Sequence, residues 1–504
     1  MRVTPRKGLA ALVAAIALPL ALTPPAHAAT GLDDVLSKIL VKRVKGTNVK
    51  KHLDAFQAIA TANGGNRAAG TAGYDASRDY VAKQLRKAGY RVTFQPTDFV
   101  EKWVENNPPA LDLTAPGSKT WVPNQDFYTF QPSPAGEVTA QVQAVDLRLP
   151  PTPTPTSTSG CEAADFAGFV AGRIALVQRG TCSFATKVRN AGRAGAAGLI
   201  IFNEGQPGRT EANPLDIGEW RGGAPMVYAD FAVGNELAAA AGATVRLKVD
   251  STLTLGKSDN VLAETRHGDP DKVVMVGSHL DGVHEGAGIN DNGSGSAAIL
   301  ETALQIAKLP VKHKVRFAWW ASEEIGLLGS DQYVERLSAA ERDRIRLYLN
   351  FDMIGSPNYA IKLYDGDNSD QTGSPAGPPG SDQIEKQFER FYDGRKLGHV
   401  GTDFDGRSDY GPFIAAGIPA GGIFTGAEGI KTPAEAALFG GTAGVAYDPC
   451  YHAACDDISN VNLTALDVNA DAIADSTARF AVNLRSIPQR TATADTFAAK
   501  GGTE

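Results

Sequence analysis

After its first 28 residues, this chain of 504 residues lacks any apolar run long enough to cross a membrane. It also lacks a basic surplus, because 49 lysines and arginines face 56 aspartates and glutamates, for a formal net charge of −7. That balance argues against nucleic acid or an anionic membrane as a partner. The chain is also longer than one hydrophobic core usually supports, so we expect two domains.

The first 28 residues have the three parts of an export signal. Basic residues come first, the apolar run Gly8–Leu22 follows, and the small-residue site Ala26-His27-Ala28 ends the segment. The apolar run is shorter than the roughly 20 residues that a bilayer-spanning helix needs. We therefore expect cleavage after Ala28 and a secreted, extracellular protein.

Cysteine is scarce, since the chain contains four. They form two local pairs, Cys161/Cys182 and Cys450/Cys455, without the paired Cys-x-x-Cys spacing of a zinc ribbon. In a chain that enters an oxidising compartment, such pairs predict the disulfides Cys161–Cys182 and Cys450–Cys455.

Hydrophobic periodicity predicts how the rest of the chain is organised. Residues 48–95 have the pattern of two helices and a strand, and from about 131 short β segments and a Pro/Thr/Ser loop replace it. After about 255, apolar β-branched runs alternate with helical patterns, which indicates an α/β fold with a mostly parallel sheet covered by helices. The predicted parts are a signal peptide at 1–28 and an α/β domain in two portions, at 29–130 and 256–486. An insert at 131–255 separates the two portions, and a flexible tail follows at 487–504.

Polar residues follow two of the predicted strands, where ligands collect in parallel sheets. His279 ends the strand Val273–Ser278, and Asp281 points the same way because strand side chains alternate. A carboxylate there can accept the second ring N–H of a metal-bound imidazole. Asp352 ends another apolar strand, where an uncompensated charge is unfavourable.

Three further segments contain acids or a histidine beside turn-forming residues. The loop 286–295 is rich in glycine around Asp291, but it lacks the lysine of a phosphate-binding loop, and its acid opposes an anion. Glu323 and Glu324 are adjacent, which is tolerated on an exposed turn and becomes favourable beside a metal ion. Tyr451 and His452 lie inside the short predicted disulfide loop. His284 and Glu285, between two of these segments, are alternative ligands.

Five blocks of the sequence resemble, in order, the motifs of secreted di-zinc leucyl-type aminopeptidases, whose superfamily also holds glutamate carboxypeptidases and transferrin receptors. The blocks are Gly277–Asp281, Ile289–Gly293, Ser322–Gly326, Asn350–Asn358 and Asp448–Asp456. Residues 172–200 resemble the protease-associated domain, a non-catalytic insert of several secreted peptidases. The resemblance implies the zinc exopeptidase fold, a mostly parallel twisted sheet covered by helices, with an inserted α+β protease-associated domain.

By this resemblance the chain is a metallo-aminopeptidase that hydrolyses N-terminal residues, large apolar ones such as leucine, with a zinc-bound hydroxide. Two zinc ions are expected. One is held by His279 and Asp352 and the other by Glu324 and His452, with Asp291 bridging them. The resemblance also implies that Glu323 is the general base and that Tyr451 stabilises the oxyanion. Asp281 would orient a metal ligand, and Arg407 and Phe424 would line the substrate pocket.

Two alternatives share the same scaffold: a carboxypeptidase, which recognises a terminal carboxylate with basic side chains, and a non-catalytic receptor with degraded ligands. All five ligands and the base are present, which favours an enzyme. Relatives bind calcium with acids that match Asp467 and Asp471 and with an N-terminal carboxylate, but Arg43 stands in that last place, so calcium is not expected. The expected partners are peptides with a free N-terminus, with neither nucleic acid nor membrane, and the expected state is a monomer.

Overall fold

The computed structural model describes residues 31–216, 223–240, 242–371 and 376–489, together with Met1. The predicted signal segment, Met1 apart, and most of the predicted tail lie outside these ranges. Among the described helices, none is long and apolar enough to span a membrane.

The secondary structure alternates between helices and strands along most of the described chain. The helices are α1 (Leu32–Arg43), α2 (Gly46–Ala62), α3 (Ala72–Ala88), α4 (Phe184–Arg193), α5 (Phe231–Ala239), α6 (Gly295–Ile306), α7 (Leu328–Glu335), α8 (Ala339–Arg344), α9 (Ser381–Gly394), α10 (Tyr410–Ala415), α11 (Pro433–Phe439) and α12 (Leu463–Phe480). The strands are β1 (Arg91–Ala115), β2 (Lys119–Thr120), β3 (Phe127–Gln131), β4 (Gly136–Val145), β5 (Ile174–Gln178), β6 (Gly198–Phe202), β7 (Leu215–Asp216), β8 (Met226–Ala229), β9 (Thr244–Glu264), β10 (Asp269–His279), β11 (His313–Trp320), β12 (Ile345–Phe351), β13 (Lys362–Tyr364), β14 (Val400–Thr402) and β15 (Ala420–Phe424).

The main sheet has the strand order β14-β13-β15-β12-β10-β11-β9, and β1 also pairs with β9. Strand β10 pairs in parallel with both β11 and β12, and β12 pairs in parallel with β15. Toward the edges, β13/β15, β11/β9 and β1/β9 are antiparallel. The predicted fold class, a mostly parallel sheet covered by helices, is confirmed.

Both faces of this sheet are covered, because successive residues of a strand face opposite sides. From β10, Val274 and Val276 enter a large apolar core that also includes buried residues of α2, α6 and α12. Val273 and Met275 enter a smaller core with residues of α7 and α10. Burial on both faces explains why β10 reads as a continuous apolar run.

A second group of strands, in the order β4-β5-β6-β8-β3-β7, packs with α4 and α5. It joins the main sheet through β9, which pairs with β11 near one end and with β4 near the other. Strand β1 accompanies β9 from the pair Arg91↔Glu264 to the pair Ala115↔Thr244. The predicted boundary at residue 255 falls inside this long strand pair, so the bounds of the insert stay a prediction.

Candidate active site

The candidate residues lie at the carboxyl edge of the main sheet. His279 is the last residue of β10, Asp352 directly follows β12, and Glu323 and Glu324 follow the end of β11. Because these three strands are parallel neighbours, their carboxyl ends place the four side chains together. His279 is 1% exposed and Asp352 is 7% exposed, so the polar groups face one another rather than solvent.

Asp291 reaches the same edge from the turn Ile289–Ser294 between β10 and α6. The Asp456 carboxylate accepts the backbone N–H groups of Asn290 at 2.8 Å and of Asp291 at 3.0 Å. The Asn292 side-chain amide donates to the backbone carbonyl of Phe351 at 3.0 Å, and the bond between Asp291 and Asn292 is cis. These contacts fix Asp291 against the end of β12.

Arg67 holds the glycine-rich segment between β10 and α6 from beneath. Its fully buried guanidinium donates to the backbone carbonyls of Leu280 at 2.5 Å and Ala287 at 2.8 Å, and to that of Gly288. Burial lowers the pKa of Arg67 to about 10, so the group is still cationic at neutral pH. It therefore also offsets part of the negative charge of the nearby acids.

His452 comes from a distant part of the chain, inside the loop that Cys450–Cys455 closes. The structure forms both predicted disulfides, Cys161–Cys182 being the other. His452 has a φ of 54°, a left-handed conformation that is rare for residues other than glycine and typical of functional sites. Its ring stacks on that of Tyr451, with 3.8 Å between the centroids.

The two histidines face opposite oxygens of Asp291. His279 Nε2 lies 3.3 Å from Asp291 Oδ1, and His452 Nε2 lies 3.3 Å from Asp291 Oδ2. His279 Nε2 is also 3.2 Å from Asp352 Oδ1, and His452 Nε2 is 2.9 Å from Glu324 Oε2. Two groups of three possible ligands, each with its ligand atoms within 4.8 Å of one another, share Asp291, and a third group joins His279 to Glu323 and Glu324.

The electrostatics of these residues fit a bound cation. Burial raises the pKa of Glu323 well above its usual range, and burial followed by the charge of Asp291 raises that of Glu324 to about 8. Burial lowers the pKa of His452, but its hydrogen bonds to Asp291 and Glu324 outweigh this and raise it to about 10. Glu324 Oε1 is buried without a hydrogen-bond partner in the described ranges. A divalent cation would supply that partner and stabilise the ionised acids.

The sequence predicts that the Asp281 carboxylate accepts the second ring N–H of His279, but its backbone carbonyl lies closer to that ring. His279 Nδ1 is 3.8 Å from the Asp281 carboxylate and only 3.1 Å from the Asp281 backbone carbonyl. The carboxylate instead faces the backbone N–H groups of Glu323 at 3.2 Å and Glu324 at 3.4 Å. Asp281 thus contacts both sides of the cluster, the imidazole through its carbonyl and the two glutamates through its side chain.

Ser408 is a site residue that sequence reasoning missed. Its hydroxyl donates to Asp352 Oδ2 at 2.6 Å and accepts from the Asn350 side-chain amide at 2.8 Å. A lone serine outside a predicted strand gives no signal of this role. Sequence reasoning also missed Arg67 and the contacts of Asp456, because these contacts form only in the folded loop. Asp456 itself lies within a motif block.

A cavity of about 210 Å³ opens beside the cluster and contains both predicted pocket residues, Arg407 and Phe424, in its wall. Met353 and Tyr364 add apolar surface to it. Arg407 pairs with Glu428 at 2.7 Å and donates to the Tyr451 hydroxyl at 3.2 Å.

The alternative ligands and the calcium position have other environments. His284 and Glu285 are exposed and belong to neither ligand group. Asp467 accepts the backbone N–H of Gly46 at 2.9 Å, and Asp471 pairs with Arg395 at 2.8 Å. Both calcium-type acids therefore already have protein partners.

A mostly parallel sheet with carboxylates and imidazoles converging at its carboxyl edge is typical of metal-dependent hydrolases. The model of peptidase family M28 matches residues 260–477, and that of the PA domain matches residues 138–237. The chain is 48% identical to an aminopeptidase of Pseudomonas aeruginosa, over 90% of this chain and 84% of that protein. It is 42% identical to the probable leucine aminopeptidase 2 of Aspergillus oryzae, over 85% of this chain and 82% of that protein.

The chain belongs to peptidase family M28. The predicted class, an aminopeptidase-like metallopeptidase with a protease-associated domain, is confirmed. Among solved structures, the aminopeptidase from Aneurinibacillus sp. strain AM-1 is 26% identical with a TM-score of 0.49, covering 87% of this chain and 95% of that one.

Proposed function

We propose that this protein is a secreted aminopeptidase that removes large apolar N-terminal residues, such as leucine, from peptides. The observation that carries the proposal is the pair of ligand groups sharing Asp291, with Glu323 beside them in the wall of a cavity. The predicted export signal and the two disulfides support secretion, and the acidic net charge supports a monomer that contacts neither nucleic acid nor membrane.

Zinc is the metal that the donor set favours, because imidazole nitrogens with carboxylate oxygens suit it, and we propose two zinc ions. His279 and Asp352 would hold one ion, Glu324 and His452 the other, and Asp291 both. When bound, the ions supply Lewis acidity at the scissile carbonyl and at the attacking water.

Glu323 is the proposed general base, since it is not needed in either ligand group that shares Asp291. Its carboxylate accepts a proton from the attacking water and delivers it to the leaving amine. Burial raises the pKa of Glu323, so nearby positive charge is needed to keep the carboxylate ionised before it accepts the proton.

Tyr451 is proposed to donate its phenolic hydrogen to the oxyanion that develops on the carbonyl. Burial raises the pKa of Tyr451, which keeps the phenol protonated at neutral pH. Arg407 donates to the same hydroxyl oxygen, which leaves the phenolic hydrogen available to the substrate.

The α-amino group of the substrate is the proposed recognition handle. Glu323 lines the cavity and belongs to neither ligand group that shares Asp291, so its carboxylate, not neutralised by a metal ion, attracts an ammonium ion. Arg407, the cation that a carboxypeptidase would use for a terminal carboxylate, is already paired with Glu428. This contact supports the aminopeptidase over the carboxypeptidase.

Acetylation of the substrate tests the proposal. Hydrolysis of leucyl-p-nitroanilide is compared with that of its N-acetyl derivative, and blocking the amine should reduce kcat/KM by orders of magnitude, because buried acids are left unpaired. Arg407→Ala serves as the matched variant, which should weaken binding and keep the preference for the free amine. Comparable turnover of the two substrates, or release of C-terminal residues from an N-blocked peptide, contradicts the proposal.

A further inference from the structure

A second, larger cavity separates the candidate active site from α4, a helix of the segment matched by the PA domain. Its volume is about 590 Å³. Ser183, Thr186 and Arg189 line it from the α4 side, and Glu323, Glu324, Tyr451 and His452 line it from the active-site side. Glu323, Glu324 and Tyr451 also line the first cavity, so the two cavities meet at the proposed site of bond cleavage.

Ion pairs hold α4 in place opposite the site. Arg189 Nη2 lies 3.1 Å from Asp331 Oδ1, and its Nε lies 3.4 Å from Glu335 Oε1, which also pairs with Arg193 at 3.1 Å. Asp331 and Glu335 belong to α7, which begins shortly after Glu324. The Asp331 side chain is only 4% exposed, so its pair with Arg189 is largely shielded from solvent. These ion pairs therefore tie α4 to the helix that follows the catalytic acids.

The two cavities differ in the part of a peptide that they suit. The first has a volume of about 210 Å³, which suits a single N-terminal side chain, and Met353, Tyr364 and Phe424 give part of its otherwise charged wall an apolar character. The rest of the peptide must leave on the other side of the scissile bond, and an extended chain advances about 3.3 Å per residue. The larger cavity has the room for that chain, and the neighbouring hydroxyls of Ser183 and Thr186 can both donate to and accept from backbone amides.

We propose that α4 forms the binding wall for the substrate residues that follow the scissile bond, and that Thr186 determines how well peptides longer than a dipeptide bind. This inference rests on the proposed aminopeptidase function and assigns the PA-domain segment a direct role in substrate selection. The preferred substrates are accordingly oligopeptides rather than dipeptides or arylamides.

Filling the cavity with an indole tests this role. Leucine release from leucyl-tetraglycine and from leucyl-p-nitroanilide is measured for the unaltered protein and for Thr186→Trp. The ratio of the two kcat/KM values, peptide over arylamide, should fall by about tenfold or more, because the indole occupies space that the peptide would need. The matched control is Gly192→Trp on the same helix, where an added Cβ meets no atom within 4 Å and which does not line the cavity. Its ratio should equal that of the unaltered protein.

A second measurement applies even when Thr186→Trp does not fold. Hydrogen–deuterium exchange of residues 184–193 is followed in the Glu323→Gln protein with leucyl-tetraglycine or with leucinamide. The long ligand should slow exchange in this helix, and the short one should not. An unchanged rate ratio in a folded Thr186→Trp protein, or equal exchange with both ligands, overturns the inference. Failure of the unaltered protein to release leucine from any substrate contradicts the proposed function instead.

Discussion

Replacing Ser408 by alanine should weaken metal binding without unfolding the protein. The Ser408 hydroxyl donates to Asp352 Oδ2 at 2.6 Å and itself accepts from Asn350 at 2.8 Å, so it fixes the rotamer of a proposed ligand. A hydrogen bond to a charged group contributes about 1.5–3 kcal/mol, and each 1.4 kcal/mol is about tenfold in an equilibrium constant. The expected loss in zinc affinity is therefore about 10- to 100-fold, in the range known for residues that orient metal ligands.

The assay is a competition titration of the metal-free protein with zinc against a chromophoric chelator, combined with thermal unfolding of the same sample. Ser77→Ala is the matched control, because Ser77 is also buried but its hydroxyl donates only to the backbone carbonyl of Gly73, in α3. The control should bind zinc like the unaltered protein. Unchanged zinc affinity in Ser408→Ala, or an equal loss in both variants, would refute the argument that Ser408 orients Asp352.

Three further predictions concern single groups. Glu323→Gln should keep its zinc content and lose activity by about 10²–10⁴-fold, and metal lost in proportion to activity would make Glu323 a ligand instead. Replacing Cys450 and Cys455 by serine should lower the unfolding free energy by at most about 2 kcal/mol, because the disulfide closes a short loop with a sequence separation of 5. The same change should weaken zinc binding. Full zinc affinity and turnover would show that the disulfide is dispensable for the site. Burial raises the pKa of Glu435, but hydrogen bonds, that from Tyr447 first, outweigh it and lower the pKa from 4.5 to about 2. Glu435→Gln should therefore lower the unfolding free energy at pH 7, and this loss should shrink as the pH falls from 4.5 to 2. A loss that does not change with pH would contradict this.

The strand ends could be predicted from the sequence because parallel, doubly buried strands leave a direct signal. The apolar run before His279 and the one before Asp352 marked β10 and β12, and parallel strands place their carboxyl ends together. The roles of Glu324 and His452 needed the resemblance to known peptidases, because contact between residues so far apart in sequence depends on tertiary folding.

Other features left no local signal. Arg67 is fully buried, whereas an isolated arginine is ordinarily a surface residue, and only the carbonyls of the folded loop explain its position. The length of β9 also left no local signal, because the regular alternation of buried and less buried residues breaks off around Gly256 and Lys257. The pairing of β9 with β1 along its whole length, rather than local pattern, sustains the strand there.

The most direct test of the account is crystallographic. Diffraction data collected above and below the zinc absorption edge would locate bound zinc by its anomalous scattering. The account predicts two peaks, one beside His279 and Asp352 and one beside Glu324 and His452, with Asp291 between them. A single peak, or peaks that contact Glu323 and leave His452 free, would contradict it.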